Sequence, residues 1–160
     1  MPIENVPFTP TVAAPSLAVR DVVHTISLQV NALSATVDAS GGIGTKDLFD
    51  VLQPTMDRLG FRSTAASTFA PSALRVVATE RRVALAVHGG RAHTNNAALE
   101  SVLAAAAHRD VDWLVIVLPE RYKSNATFTK VSAQLNALRT ASGIRLDLVG
   151  VTLVGFRSAS

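Results

Sequence analysis

The chain has 160 residues, of which 48% are hydrophobic and 17% charged, with a formal net charge of +3, so we expect one domain with its own core. It has no cysteine, which excludes disulfides, thiolate catalysis and cysteine-held zinc or iron–sulfur sites. No run approaches the roughly 18 apolar residues of a membrane span and no signal-peptide pattern is present, so we expect a cytoplasmic protein without a membrane partner.

Residues 1–15 are rich in proline and show little periodicity. Proline fixes the backbone and donates no amide hydrogen bond, so this pattern favours an extended or disordered arm. From residue 16 onward the pattern becomes regular, and residues 16–160 are predicted to form a single α/β domain. The prolines of the arm are Pro2, Pro7, Pro10 and Pro15.

A narrow apolar stripe predicts one N-terminal helix over residues 16–40. Ser16 is a good N-cap, and the apolar residues recur at steps of three and four. Two interpretations stay open for the stripe, residues 19–37: it packs on its own domain, or it pairs with a second copy of the chain. We expect self-association through it. Its members are Val19, Val22, Val23, Ile26, Val30, Leu33 and Val37.

Residues 45–156 alternate between helical and strand-like patterns. A helix begins at Thr45 and carries Pro54, which predicts a kink or a break. The next segments read as three strands, a helix, a continuous apolar strand ended by Pro119, a helix and a last strand. The predicted elements are strands at 61–64, 74–79, 83–87, 113–118 and 144–156, with helices at 45–59, 97–108 and after 127.

The order helix, three strands, helix, strand, helix, strand resembles the core of the PD-(D/E)XK nucleases, the restriction-endonuclease-like fold. The likeness spans residues 45–156, and the stretch from Arg82 to Tyr122 is similar in detail to type II restriction-enzyme relatives. Three stretches carry it: Val83–Arg91, Thr94–Asn96 and Val111–Tyr122. It implies an α/β fold with a mixed sheet flanked by helices, here preceded by an N-terminal helical extension.

The resemblance also implies a magnesium site that this sequence lacks. In that family a strand-borne acid and a nearby Glu-x-Lys hold magnesium, which activates water and neutralises the phosphate. Here Ala86 stands where the glutamate belongs, His88 where the lysine belongs, and the region of Ser72 or Ala73 offers no acid. Asp50, on the preceding helix, is a possible accessory acid. No metal ligand set and no cofactor are therefore expected.

Two explanations of the alanines stay open. The chain is a naturally degenerate nuclease that binds DNA or a nucleoprotein partner, or it is a magnesium-dependent endonuclease whose acids were replaced by alanine. A third hypothesis is a non-enzymatic protein-interaction or assembly module that uses the residue 19–37 stripe. Salt-sensitive DNA binding without cleavage would favour the first of these, and a stable oligomer without nucleic-acid affinity the third.

An uneven charge distribution favours nucleic acid as the partner. Residues 1–60 carry three basic and six acidic side chains, whereas residues 61–160 carry twelve basic and six acidic ones. A glycine loop and the segment after the central strand supply hydrogen-bonding and basic residues where phosphates could bind. Asn95 and Asn96 are predicted to cap a helix first and to contact bases second. The candidate nucleic-acid-binding residues are Arg91, Asn95, Asn96, Tyr122, Lys123 and Lys130.

Overall fold

The protein is an α/β fold in which one sheet is flanked by helices, as a computed structural model of the chain shows. The structure describes residues 1–12, 14–37, 42–63, 73–77 and 81–157. The strands are β1 (Ile3–Pro7), β2 (Phe61–Ser63), β3 (Leu74–Val77), β4 (Val83–Val87), β5 (Trp113–Pro119) and β6 (Gly150–Phe156). The helices are α1 (Leu17–Ser27), α2 (Val30–Ala35), α3 (Thr45–Leu59), α4 (Ala97–Ala106) and α5 (Thr127–Thr140).

The six strands form a mixed sheet in the order β1-β6-β5-β4-β3-β2. The three central strands β4, β5 and β6 are parallel, and the outer pairs are antiparallel. Every residue of β4, β5 and β6 is buried, which is why these segments read as continuous apolar runs. The carboxyl ends of β4 and β5 therefore lie side by side at one edge of the sheet.

Alternate strand residues face two separate hydrophobic layers. Ala84, Ala86 and Ile116 pack with α4 and α5 on one face. Leu85 and Val87 pack with α1, α2 and α3 on the other. Because side chains alternate along a strand, the residue after β4, His88, shares the face of Ala86.

Residues 1–15, predicted as an extended or disordered arm, contain the edge strand β1. Residues Ile3–Pro7 pair antiparallel with β6 and form an edge of the sheet, with Ile3 opposite Val154. Glu4 anchors the strand further, since its carboxylate accepts hydrogen bonds from Ser132 (2.9 Å) and Asn136 (3.1 Å) on α5. Pro2 precedes the strand and Pro7 is its last paired residue, opposite Gly150, which an edge strand tolerates.

The predicted helix over residues 16–40 is two helices, α1 and α2; residues 38–40 lie outside the described part. Its apolar stripe packs on its own sheet: Val22, Ile26 and Leu33 are fully buried. The stripe residues therefore pack on their own domain, which favours the first interpretation, while self-association of the chain stays a prediction. Ser16 caps α1 as expected, accepting a hydrogen bond from the Val19 amide.

Helix α3 continues through Pro54, so the break that was one of the two predicted outcomes does not occur. Ser72, residue 64 and residues 78–80 lie outside the described residues. Among those described, no helix is long and apolar enough to cross a membrane.

Candidate functional site

A cleft opens where β4 and β5 end. Its volume is about 390 Å³, within the range of small-ligand sites. In sheets with parallel strands, ligands commonly bind outside the carboxyl ends of neighbouring strands, as here. The lining residues are Ile43, Thr45, His88, Gly89, Gly90, Arg91, Ala92, Ala97 and Tyr122. We call it the glycine cleft.

Two glycines allow the backbone to turn tightly at the base of this cleft. A Cβ atom on Gly89 would lie 2.6 Å from the Ile43 carbonyl oxygen, and one on Gly90 would lie 1.7 Å from the ring of Tyr122. The Gly89 amide donates a hydrogen bond to Thr45 Oγ1 (3.2 Å), which ties the corner to the first turn of α3. No other residue type fits either position without displacing its neighbour.

The glycine cleft has unpaired hydrogen-bond donors and no acid. Within the described ranges, the amides of Gly90 and Arg91 donate no hydrogen bond, and the exposed Arg91 guanidinium has no carboxylate partner. None of the described lining residues is acidic. Unpaired backbone amides beside an arginine form a concave site that attracts anions. Thr45, in the first turn of α3, adds the favourable end of a helix dipole.

His88 forms part of the floor of the cleft. Its backbone amide donates to the Val117 carbonyl (2.9 Å), which holds it beside β5, and its Nε2 lies 3.0 Å from Ser101 Oγ on α4. Only 7% of the residue is exposed. Burial lowers the pKa of His88 to about 4, so the imidazole is neutral at neutral pH.

The three positions of the nuclease-like motif are adjacent. Ala86 pairs with Leu74 on β3 and with Ile116 on β5, and it is fully buried. The Ala73 carbonyl accepts a hydrogen bond from the Val87 amide (3.3 Å), next to His88. These positions carry no carboxylate. Among the described residues, no group of three or more metal-ligating side chains converges.

Asp50 does not join this group. It lies on the exposed side of α3, and α3 packs on the sheet face opposite Ala86. Its carboxylate accepts a hydrogen bond from Lys46 Nζ (2.6 Å), one helical turn earlier. That hydrogen bond raises the pKa of Lys46. The structure therefore gives Asp50 a surface partner and leaves it away from Ala86 and His88.

Tyr122 forms one wall of the cleft, and Lys123 follows it at the rim. Tyr122 and Asn125 exchange two backbone hydrogen bonds of 2.9 Å, which close a tight turn over Lys123 and Ser124. Lys123 has φ of +52°, a conformation that non-glycine residues adopt at a cost, and its Nζ lies 5.6 Å from the Tyr122 ring centroid. Lys130 donates to Asn125 Oδ1 (2.7 Å) on the same side.

Asn95 and Asn96 do not cap α4. Both have positive φ (55° and 58°), and the side chain of Asn96, at the N-cap position, makes no capping hydrogen bond. Loop carbonyls satisfy the first two amides of α4 instead: Ala97 N donates to Thr94 O and Ala98 N to Ala92 O. The capping prediction is wrong because, in this left-handed turn, the loop carbonyls accept the hydrogen bonds that a capping side-chain oxygen would otherwise accept. Both asparagines are exposed near the cleft.

Two residues of the site, Thr45 and Ser101, were not expected there from the sequence. Thr45 was expected only as a helix start, and its hydroxyl also binds Gly89. Ser101 lies in a helix of alanines and leucines, and its bond to His88 joins residues from separate elements. No periodicity reports such contacts. The Gly89-Gly90 pair was the one usable signal, since paired glycines indicate a close backbone approach.

No protein-family model matches the sequence, and a search of curated proteins finds no similar one.

Proposed function

We propose that the chain is a catalytically degenerate restriction-endonuclease-like protein that binds DNA through its phosphate backbone, with the glycine cleft as the main contact. One observation carries this proposal: the cleft is lined by two residues whose amides donate no hydrogen bond in the described part of the chain, one of them an arginine without a carboxylate partner there, and its described lining has no acid. Such a site favours an anion, and the anion that DNA presents repeatedly is phosphate.

The order of elements supports the proposed relationship. Helix α3, strands β2 to β4, α4, β5, α5 and β6 follow one another as the restriction-endonuclease-like core implies. The positions Ala73, Ala86 and His88 lie together at the end of β4, where that family holds its metal. Ala73 and Ala86 offer none of the expected carboxylates, and His88 stands in place of the expected lysine, which favours binding without hydrolysis.

The charges around the cleft support a backbone-binding role. Lys123 and Lys130 lie near its Tyr122 wall, and both are exposed. Burial and, after it, the charge of Lys130 lower the pKa of His93 on the same side. A strand of DNA leaving the cleft would meet these two ammonium groups and release bound counterions.

The first test compares Arg91→Ala with wild type on labelled duplex DNA across a salt series. We expect Arg91→Ala to bind about tenfold more weakly, because a charge-assisted hydrogen bond to phosphate is lost, and its log Kd against log salt slope to fall by about one. Arg58→Ala is the matched control: this exposed arginine lies in the last turn of α3, at the end opposite the cleft. Equal weakening of both variants would contradict the proposal.

The same samples, given magnesium or manganese, test hydrolysis. We expect bound DNA to stay intact. Cleavage would instead favour the endonuclease hypothesis with an active site elsewhere in the chain. Reversing the charge of Lys123 and Lys130 together should weaken DNA binding at low salt more than at high salt, and unchanged binding would remove them from the interface.

A further inference from the structure

His88 presents a hydrogen-bond acceptor inside a cleft of donors. Its Nε2 contacts Ser101 in the core, whereas Nδ1 has no partner in the described part of the chain and the residue lines the cleft. The residue is more than nine-tenths buried, but Nδ1 is not among the fully buried unpaired polar atoms of the described residues, so it keeps some exposure at the cleft. An exposed lone pair at the wall of a cleft can accept a hydrogen bond from a ligand.

The partners of Ser101 fix the tautomer. Ser101 Oγ lies 3.3 Å from the Ala97 carbonyl, one turn back on α4, and that carbonyl can only accept. If Ser101 donates to Ala97, its oxygen must accept from His88 Nε2–H, and both bonds are made. The other tautomer would turn the serine hydroxyl toward His88 and forfeit the bond to Ala97. Hydrogen-bond count therefore assigns the proton to Nε2 and a lone pair to Nδ1.

This arrangement is not a serine nucleophile with its base. Ser101 is fully buried, so no substrate can reach its oxygen. Its contact with His88 orients the ring, and we regard Ser101 as a positioning residue. The consequence lies on the cleft side, where the Nδ1 lone pair would repel a phosphate oxygen and attract an N–H or O–H.

A ligand of the cleft must thus carry two kinds of group. Anionic oxygens suit Arg91 and the amides of Gly90 and Arg91, and a hydrogen-bond donor suits His88 Nδ1. Apolar side chains of Ile43, Ala92 and Ala97 complete the walls.

We propose that the glycine cleft binds one unpaired nucleotide of a DNA strand. This inference rests on the proposed DNA-binding function. Its phosphate binds the Gly90–Arg91 corner, and the exocyclic amino group of its base donates to His88 Nδ1. Duplex contacts by Lys123 and Lys130 would lie outside the cleft. The volume of about 390 Å³ is at the small end of ligand sites and fits a single nucleotide unit better than a duplex.

The test uses two mononucleotides that differ in one group. Calorimetry would compare 2′-deoxyadenosine 5′-monophosphate with the same nucleotide lacking the 6-amino group. We expect wild type to bind the amino form about fivefold more tightly, and His88→Leu to bind both forms equally. Equal affinity on wild type, with duplex binding intact, would overturn this inference alone. Failure to bind either nucleotide or any DNA would overturn the proposed function as well.

Nitrogen-15 NMR of histidine-labelled wild type provides a reading that needs no variant. The two neutral tautomers differ in the shifts of both ring nitrogens, and we expect His88 to carry its proton on Nε2. We expect Ser101→Ala to mix the tautomers and to reduce the preference for the amino nucleotide. A proton on Nδ1 in wild type would overturn the assignment, because the cleft would then meet a donor.

Discussion

Arg82 lies directly before β4 and Arg91 lies a few residues after it, and the two side chains differ in their contacts. Arg82, before the strand, binds both carboxylate oxygens of Asp112 (2.6 and 2.8 Å) and the Arg109 carbonyl (3.0 Å). Arg91, after the strand, has no carboxylate partner in the described ranges. Both side chains are exposed, so solvent access does not explain the difference.

The two ends of β4 and β5 show what the difference means. At the amino ends, the Arg82 carbonyl accepts from the amides of Asp112 (2.8 Å) and Trp113 (3.2 Å), so charge and backbone are both satisfied within the chain. At the carboxyl ends, the amides of Gly90 and Arg91 donate no hydrogen bond within the described ranges. The first end is a structural junction. The second has donors without partners, as expected of the anion-binding site that we propose there.

The largest expected effect comes from placing a carboxylate at a buried position within β4. Ala86→Glu should lower the free energy of unfolding by at least about 3 kcal/mol, because position 86 is fully buried among apolar residues and offers the charge no partner. Urea denaturation would measure it, with the exposed Ala133→Glu on α5 as the control. Retained stability together with magnesium-dependent cleavage would show instead that the nuclease-like site accepts its acid.

Acid should lower the free energy of unfolding through His88, which follows β4. Burial lowers the pKa of His88 to about 4, whereas the unfolded chain titrates near its ordinary value of 6.5. Below pH 6.5 the unfolded state takes up a proton that the folded state does not, so stability is complete above that pH and falls as the pH approaches 4. Between pH 7.5 and pH 5 the loss should be about 2 kcal/mol.

His88→Gln isolates this effect. Urea denaturation at the two pH values should show about 2 kcal/mol less pH dependence in the variant than in wild type. His93, whose pKa burial also lowers, is present in both proteins and cancels in the comparison. Identical pH dependence in wild type and variant would mean that His88 is protonated without cost in the fold.

The order of elements from α3 to β6 could be predicted because each element has its own apolar pattern. Strand β5 is a continuous apolar run, and the stripe of α1 repeats at helical spacing. Strand β1 could not be found this way. It is short, follows Pro2 and ends at Pro7, and its pairing with β6 joins residues about 150 positions apart, as Ile3 and Val154 show. Propensity does not report such pairs.

Some residues of the candidate site could be predicted from the sequence and others could not. Arg91, Tyr122 and His88 were expected from residue type and position, and the structure brings them to one cleft. Thr45 and Ser101 were not expected in it, since their roles arise from contacts between separate elements. Asn96 failed as a cap because its left-handed backbone, which asparagine tolerates, left loop carbonyls to bind the helix amides.

The smallest expected effect concerns the turn over Lys123, at the rim of the binding end. Its φ of +52° suits glycine, so Lys123→Gly should raise the free energy of unfolding by about 0.5–1 kcal/mol, even though the contact with Tyr122 is lost. Ser124→Gly, next in the turn but without positive φ, should bring no gain. A Lys123→Gly variant that is more stable than wild type and binds DNA more weakly would show that Lys123 lowers the free energy of unfolding but contributes to binding. A purely structural turn would not require such a lysine. No gain in stability would instead mean that the left-handed turn costs lysine nothing here.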